Sequence, residues 1–160
     1  DTSSLVTAEE RKLNHKVARE LYDMTEQLAY MVYEIDETIK LAEKVQKEKP
    51  DSKKVTQAAI DALNDLKKDL VVTTGDNYVG RAENELRENI LDLYAKVANR
   101  YDAPTQAELD NLAVLKAEMQ EAWNGMHAIH EKQIKSLNQY LDKNQMEKLK
   151  LMSFEDFKKS

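Results

Sequence analysis

The chain contains no cysteine. Disulfide bridges, thiolate metal sites, iron–sulfur clusters, covalently attached haem and thiol nucleophiles are therefore excluded. Glycine and proline are almost as scarce, with three and two among 160 residues. Sandwiches, barrels and doubly wound sheets turn more often than that allows. Three glycines cannot build a phosphate cradle, and Gly-x-Gly-x-x-Gly, a Walker loop, His-Glu-x-x-His and Gly-x-Ser-x-Gly are all absent. No apolar run approaches the ~20 residues that span a bilayer.

What is present is helical chemistry. Charged residues make up 34% and hydrophobic residues 41%, with Leu, Ala, Glu and Lys dominant. The length is that of about one domain, 1–160, which can bury a real core. Net charge is −6. The densest basic stretches, Lys44 to Lys54 and Lys143 to Lys150, are interleaved with Glu or Asp and read as solvated helix ends. That pattern argues against a nucleic-acid partner, which needs a basic stripe to neutralise phosphates.

Periodicity places the helices. Residues 1–7 form a lead-in, and Thr7 opens Thr7-Ala8-Glu9-Glu10, a capping box in which the Thr hydroxyl and the Glu carboxylate each satisfy a backbone N–H. From there Val17, Leu21, Met24, Leu28, Met31, Ile35, Ala42 and Val45 recur mainly at steps of four and three, with Thr38 filling the gap. This is the seam of one helix over about 8–48. Pro50-Asp51-Ser52 turns the chain. A second helix spans about 52–72, with Val55, Ala59, Leu63, Leu66 and Leu70 on one face. The stretch Thr73 to Gly80 is the longest break, and a third helix covers about 81–100 through Leu86, Ile90, Leu93 and Val97. Thr105-Gln106-Ala107-Glu108 is a second capping box. The fourth helix follows to about 143, through Leu109, Leu112, Leu115, Met119, Ala122, Met126, Ile129, Leu137 and Leu141. The tail, 145–160, reads as a short helical piece packing Met146, Leu149 and Leu151, then an amphipathic or irregular end with Phe154 and Phe157.

These lengths predict an all-α fold: an antiparallel four-helix bundle whose first and fourth helices are long and whose second and third are short. Short loops favour antiparallel neighbours. The two long helices are then expected side by side, with the short pair against one half of them, leaving a two-helix stalk from which both chain ends emerge.

Chemistry-bearing candidates are few. His127 and His130 stand three apart on the fourth helix, with Glu131 adjoining, and such a cluster could hold a divalent metal. The Glu-x-x-His pairs of di-iron bundles are missing, and the plainer reading is partly exposed helix histidines. No cofactor is expected. His15 reads as surface. Among the aromatics, Tyr78, Tyr101 and Trp123 are candidates for a docking surface, since such residues are enriched at interfaces. The methionines near the inward stripe read as core. Gly125, in mid-helix, marks either a close helix approach beside Trp123 or a kink.

Two stretches carry a family likeness: Glu83-Asn84-Glu85-Leu86-Arg87-Glu88-Asn89-Ile90-Leu91-Asp92-Leu93-Tyr94-Ala95-Lys96-Val97, and Ala103-Pro104-Thr105-Gln106-Ala107-Glu108-Leu109-Asp110-Asn111-Leu112. With the lead-in Asp1 to Glu10, they resemble the C-terminal helical region of bacterial sortilin-like, BNR-repeat proteins of the glycosyl-hydrolase type. The resemblance implies that the chain is the helical tail of a secreted or periplasmic propeller protein. Its partner would then be the rest of that protein or another protein, and no catalytic residue is carried over. The start at Asp1 rather than Met likewise leads one to expect a processed protein or a fragment. A free-standing bundle that binds a ligand or metal through the fourth helix is the alternative expectation. A homodimer is compatible with both.

Overall fold

The computed structural model describes residues 6–73 and 85–160, and every secondary-structure element among them is helical. The elements are α1 (Ala8–Glu48), α2 (Lys53–Leu70), α3 (Leu86–Ala98), α4 (Gln106–Ile129), α5 (Lys135–Lys143) and α6 (Phe154–Lys159). A 3-10 turn, Pro50–Ser52, precedes α2, and a π turn, His130–Ile134, joins α4 to α5. Thr73 is the last described residue before the long break; the expected start of the third helix at 81–84 lies outside the described residues.

Both predicted capping boxes form. Thr7 Oγ1 accepts from the Glu10 N–H at 3.1 Å, while Glu10 Oε2 accepts from the Thr7 N–H at 2.9 Å. Thr105 and Glu108 do the same at 3.2 and 2.9 Å. From its cap, α1 buries Asn14, Val17, Leu21, Met24, Leu28, Met31, Ile35, Thr38, Ala42 and Val45. The steps alternate three and four without interruption, which keeps one stripe facing inward. Thr38 is tolerated there because its hydroxyl donates to the Glu34 carbonyl at 2.7 Å. Pro50 opens the 3-10 turn, where its missing N–H costs nothing.

Cross-helix ties give the directions. Gln46 bonds Gln57 at 3.2 Å and Lys67 pairs with Asp36 at 2.6 Å, so α2 descends along the second half of α1. Asn14 reaches the carbonyls of Val97 and Arg100, and the Tyr22 and Tyr94 rings lie 6.3 Å apart, so α3 descends along the first half. Lys116 pairs with Glu20 at 3.1 Å and His130 with Glu34 at 2.6 Å. The column of α4, π turn and α5 therefore runs parallel to α1, and it packs against both α2 and α3.

This differs from the expected stalk. The short helices succeed one another along α1 instead of lying beside each other on one half of it, and the long members are parallel. Lengths explain the difference. At 1.5 Å per residue α2 and α3 span ~27 and ~20 Å, which fit in series against the ~62 Å of α1. The hairpin rule applies to tight connections, and the segment from Val71 to Glu85 is far longer than one.

The predicted fourth helix is also interrupted. Its buried positions, Leu112, Leu115, Met119, Ala122, Met126, Ile129, Ile134, Leu137 and Leu141, step by three or four except from Ile129 to Ile134, a step of five. The π turn absorbs the extra residue and returns Ile134 to the inward stripe. Gly125 is a close approach, not the kink: a Cβ there would lie 3.2 Å from Leu66 Cδ1 of α2.

After α5 the chain reverses. Gln145 takes φ 55, the Met146 N–H donates to the Leu141 carbonyl at 2.9 Å, and the Gln145 N–H donates to the Asp142 carbonyl at 3.2 Å. That is a Schellman turn with glutamine in the left-handed position glycine usually takes. The helical piece expected over Met146, Leu149 and Leu151 is absent, because residues 146–153 carry no secondary structure.

The stripe on α1 sets the stability. Leu21→Ala, at a fully buried position, is expected to cost about 2–5 kcal/mol. Leu13→Ala, at a position 39% exposed on the same helix, should stay within about 0.5 kcal/mol. Urea unfolding of the two variants measures both.

Candidate functional site

The candidate residues from the sequence do not converge. Tyr101 is 81% exposed on the turn between α3 and α4, Trp123 is 39% exposed on α4, and Tyr78 lies outside the described residues. His15, His127 and Glu131 are exposed, whereas His130 faces α1. No group of three or more His, Asp or Glu that could hold a metal ion occurs among the described residues. No described helix is long and apolar enough to cross a membrane.

The structure instead builds two junctions. The first surrounds Tyr101. The Asn14 amide, buried in the α1 stripe, donates to the Val97 carbonyl at 3.1 Å and the Arg100 carbonyl at 2.6 Å, filling the open C-terminal end of α3. Asn99 donates to the Ala95 carbonyl at 2.8 Å. Arg100 pairs with Glu108, which also closes the Thr105 capping box. The Thr105 N–H, and after it the Arg100 guanidinium, hold the Glu108 carboxyl below the usual carboxylate range. Tyr101 thus projects from a short turn whose flanking residues are fixed on both sides.

The second junction lies where the C-terminal segment crosses α1. The Tyr30 hydroxyl donates to the Met152 carbonyl at 2.7 Å, and the Met152 N–H donates to the Tyr33 oxygen at 3.1 Å. Two tyrosines one helical turn apart therefore satisfy both backbone groups of one residue. The rings of Phe154 and Phe157 each lie 5.4 Å from that of Tyr30, edge-on, and Phe157 stacks on Tyr33 at 5.1 Å. Desolvation under this cover, with the Glu34 charge beside it, pushes the Tyr30 hydroxyl above its ordinary value.

Beneath the segment is a cleft of about 220 Å³ with Glu34, Thr38 and Leu41 on one wall and His130, Ile134 and Leu137 on the other. Nε2 of His130 meets Glu34 Oε1 at 2.6 Å, in the first residue of the π turn. That bond, helped by the charges of Glu34 and Glu131, outweighs partial burial and raises the His130 pKa above the ordinary value. At the other end of α5 the Tyr140 hydroxyl donates to Asp51 at 3.0 Å, tying α5 to the turn before α2.

Sequence reasoning paired Glu108 with Thr105 but not with Arg100, and placed Tyr30, Tyr33 and His130 on helices without finding their partners. Asn14 carried a usable signal, since it precedes Val17 by three residues and so belongs to the stripe. Glu34 carried none, because its partner is on another column. No protein-family model, no curated protein and no solved structure matches this chain.

Two tests follow from these ties. Asn14→Ala removes the amide that donates to the Val97 and Arg100 carbonyls and is expected to cost about 1–3 kcal/mol by urea unfolding. The His130–Glu34 tie gives a pH dependence. A histidine whose pKa is raised on folding contributes stability fully below its unfolded value, about 6.5, and loses it as pH rises through the folded value. The wild type should therefore lose midpoint stability from pH 6 toward pH 8, and Glu34→Gln should flatten that slope. An identical slope in both proteins removes the tie as its source.

Proposed function

We propose that the chain is a non-catalytic structural and interaction module, a helical bundle that presents Tyr101 to the rest of a larger protein or to a partner. One observation carries this reading. Tyr101 is a large aromatic left 81% exposed on a turn whose neighbours are fixed by Asn14, Glu108 and two helix caps. Rigid aromatic presentation lowers the ordering cost of contact, and tyrosine is enriched among residues that dominate interfaces. The His130–Glu34 and Tyr140–Asp51 contacts, each of which raises a pKa, tie separate elements together, which suits a scaffold.

The finer architecture is part of the proposal. Two long members, α1 and the α4–π–α5 column, stand with two short ones, α2 and α3, which run antiparallel to both. The cross-helix ties of Asn14, Asp36, Glu20 and Glu34 support it. The parent protein is proposed on the resemblance alone: a bacterial BNR-repeat propeller, secreted or periplasmic, with this chain as its helical tail. The alternative, a ligand or metal held by Trp123, His127 and His130, has less behind it. His130 is bonded to Glu34, while Trp123 and His127 face solvent.

The test uses the protein expressed from its whole reading frame. Tyr101→p-benzoylphenylalanine should crosslink on irradiation to a site outside residues 1–160, and the same probe at Val114, which is 54% exposed, should not. Equal labelling from both positions, or none from position 101, contradicts the docking role. Saturable turnover of a glycoside by this chain, abolished by one side-chain substitution, contradicts the non-catalytic reading.

A further inference from the structure

The two basic stretches of the sequence meet in the fold. The Tyr140 hydroxyl of α5 bonds Asp51 in the turn before α2, and the Ser52 hydroxyl reaches the Val45 carbonyl of α1. The segment after α5 shares a cleft with Leu41 and Lys44 of α1. One end of the bundle is therefore built from the end of α1, the 3-10 turn, the start of α2, the end of α5 and residues 145–150. Residues 40–54 and 142–150 hold nine lysines against five Asp and Glu, a charge of +4 in a chain of −6, so the remainder carries −10. All nine lysines are exposed. Lys40 pairs with Glu37 and Lys148 with Asp142, and the other seven enter no ion pair.

Local helix chemistry accounts for only some of them. Lys47 and Lys143 stand in the last turns of α1 and α5, where the helix dipole favours a cation. Lys53 and Lys54 open α2, whose first turn has no acidic residue. There the dipole repels them, whereas α1, α3 and α4 each place Glu in the first turn. Positive charge is gathered at this end against the preference of α2. The same end also has an apolar element. Between α1 and the segment opens a cleft of about 420 Å³, where half-buried Leu41, Met146 and Leu149 stand among Lys44, Lys148 and Lys150, with Glu48 and Glu147 as its carboxylates.

We propose that this end docks on an anionic lipid surface, with the lysines in the headgroup layer and the cleft taking the apolar start of one lipid. Charge complementarity fixes the sign of the partner, and the charge distribution fixes the pose. The negative remainder is repelled from the same surface, so the molecule stands on its basic end. Tyr101, beside Asn14 and ~46 Å along α1 from Val45, then points away. Neither basic stretch contains arginine, the residue suited to bidentate phosphate reading. Lysine point charges suit a diffuse anionic layer, and the aliphatic cleft gives a lipid a contact that a nucleic acid cannot use. This inference stands independently of the parent protein and of the role of Tyr101.

Co-sedimentation of the full chain with vesicles tests it, at about 0.1 M salt, where the Debye length is about 10 Å. Binding is expected to vesicles of phosphatidylglycerol and phosphatidylcholine in equal parts, and not to phosphatidylcholine alone. Lys44→Gln/Lys47→Gln/Lys53→Gln/Lys54→Gln should weaken it by about a hundredfold or more. Arg11→Gln/Lys12→Gln/Lys16→Gln/Lys96→Gln removes the same charge from exposed positions far from the basic end, and should change binding by less than about threefold. No sedimentation with anionic vesicles, equal sedimentation with neutral ones, or equal losses from the two variants overturns the proposal. So does duplex DNA bound as tightly at equal phosphate concentration, which would make this end a general polyanion surface with no use for the cleft.

Discussion

The unbroken stripe on α1 is the constraint on which the other elements depend. Ten positions from Asn14 to Val45 alternate three and four apart, and eight of them are apolar. Each of these except Ala42 contributes about 1.5–3 kcal/mol on burial. The exposed ion pairs that decorate the same helix contribute about 0–1 kcal/mol each. The stripe therefore sets the energetics, and the polar ties set register. α3 reads its first half, α2 its second, and the parallel column of α4 and α5 packs over both short helices. The two polar members of the stripe play different parts. Thr38 satisfies itself within its own helix, while Asn14 marks where α3 must stop.

Much of this was legible because it is local. A capping box is written within four residues, so α1 and α4 begin where Thr7 and Thr105 place them. The buried faces of α1 and α3 follow from spacing alone. What spacing leaves open is which stripe meets which, and in what direction. Parallel packing of the long members rests on Glu20 with Lys116 and Glu34 with His130, partners about a hundred residues apart in sequence. The π turn was visible in principle, as the five-residue step from Ile129 to Ile134. It reads as a gap in a helix unless Ile134 is counted as inward. The tail misled for another reason. Its propensity is helical, and it was overridden by aromatic contacts with Tyr30 and Tyr33 far upstream. The candidate site was the least legible part, since the degree of exposure, which sets Tyr101 at 81% apart from Tyr22 at 43% and Trp123 at 39%, is not written in the sequence.

Two kinds of surface emerge from one scaffold. At the Tyr101 end, a buried amide, a capped helix and an ion pair fix a short turn and leave one ring outside. At the far end, a strap lies across the groove between α1 and α5, secured chiefly by rings and by one doubly bonded peptide. The first junction is rigid because its polar groups are tied from several elements. The second rests on fewer polar ties, the two hydrogen bonds at Met152. The His130–Glu34 tie lies under the strap and joins the two walls of that groove.

Native-state hydrogen exchange along α1 tests the account most directly. If one stripe unites the fold, slow amides from Val17 to Ala42 open in a single class, at the free energy of global unfolding, together with those of α2, α3 and α4. If the first half of α1 opens with α3 while the second half stays closed with α2, the fold is two units joined by a helix, and the stripe is not its organising constraint.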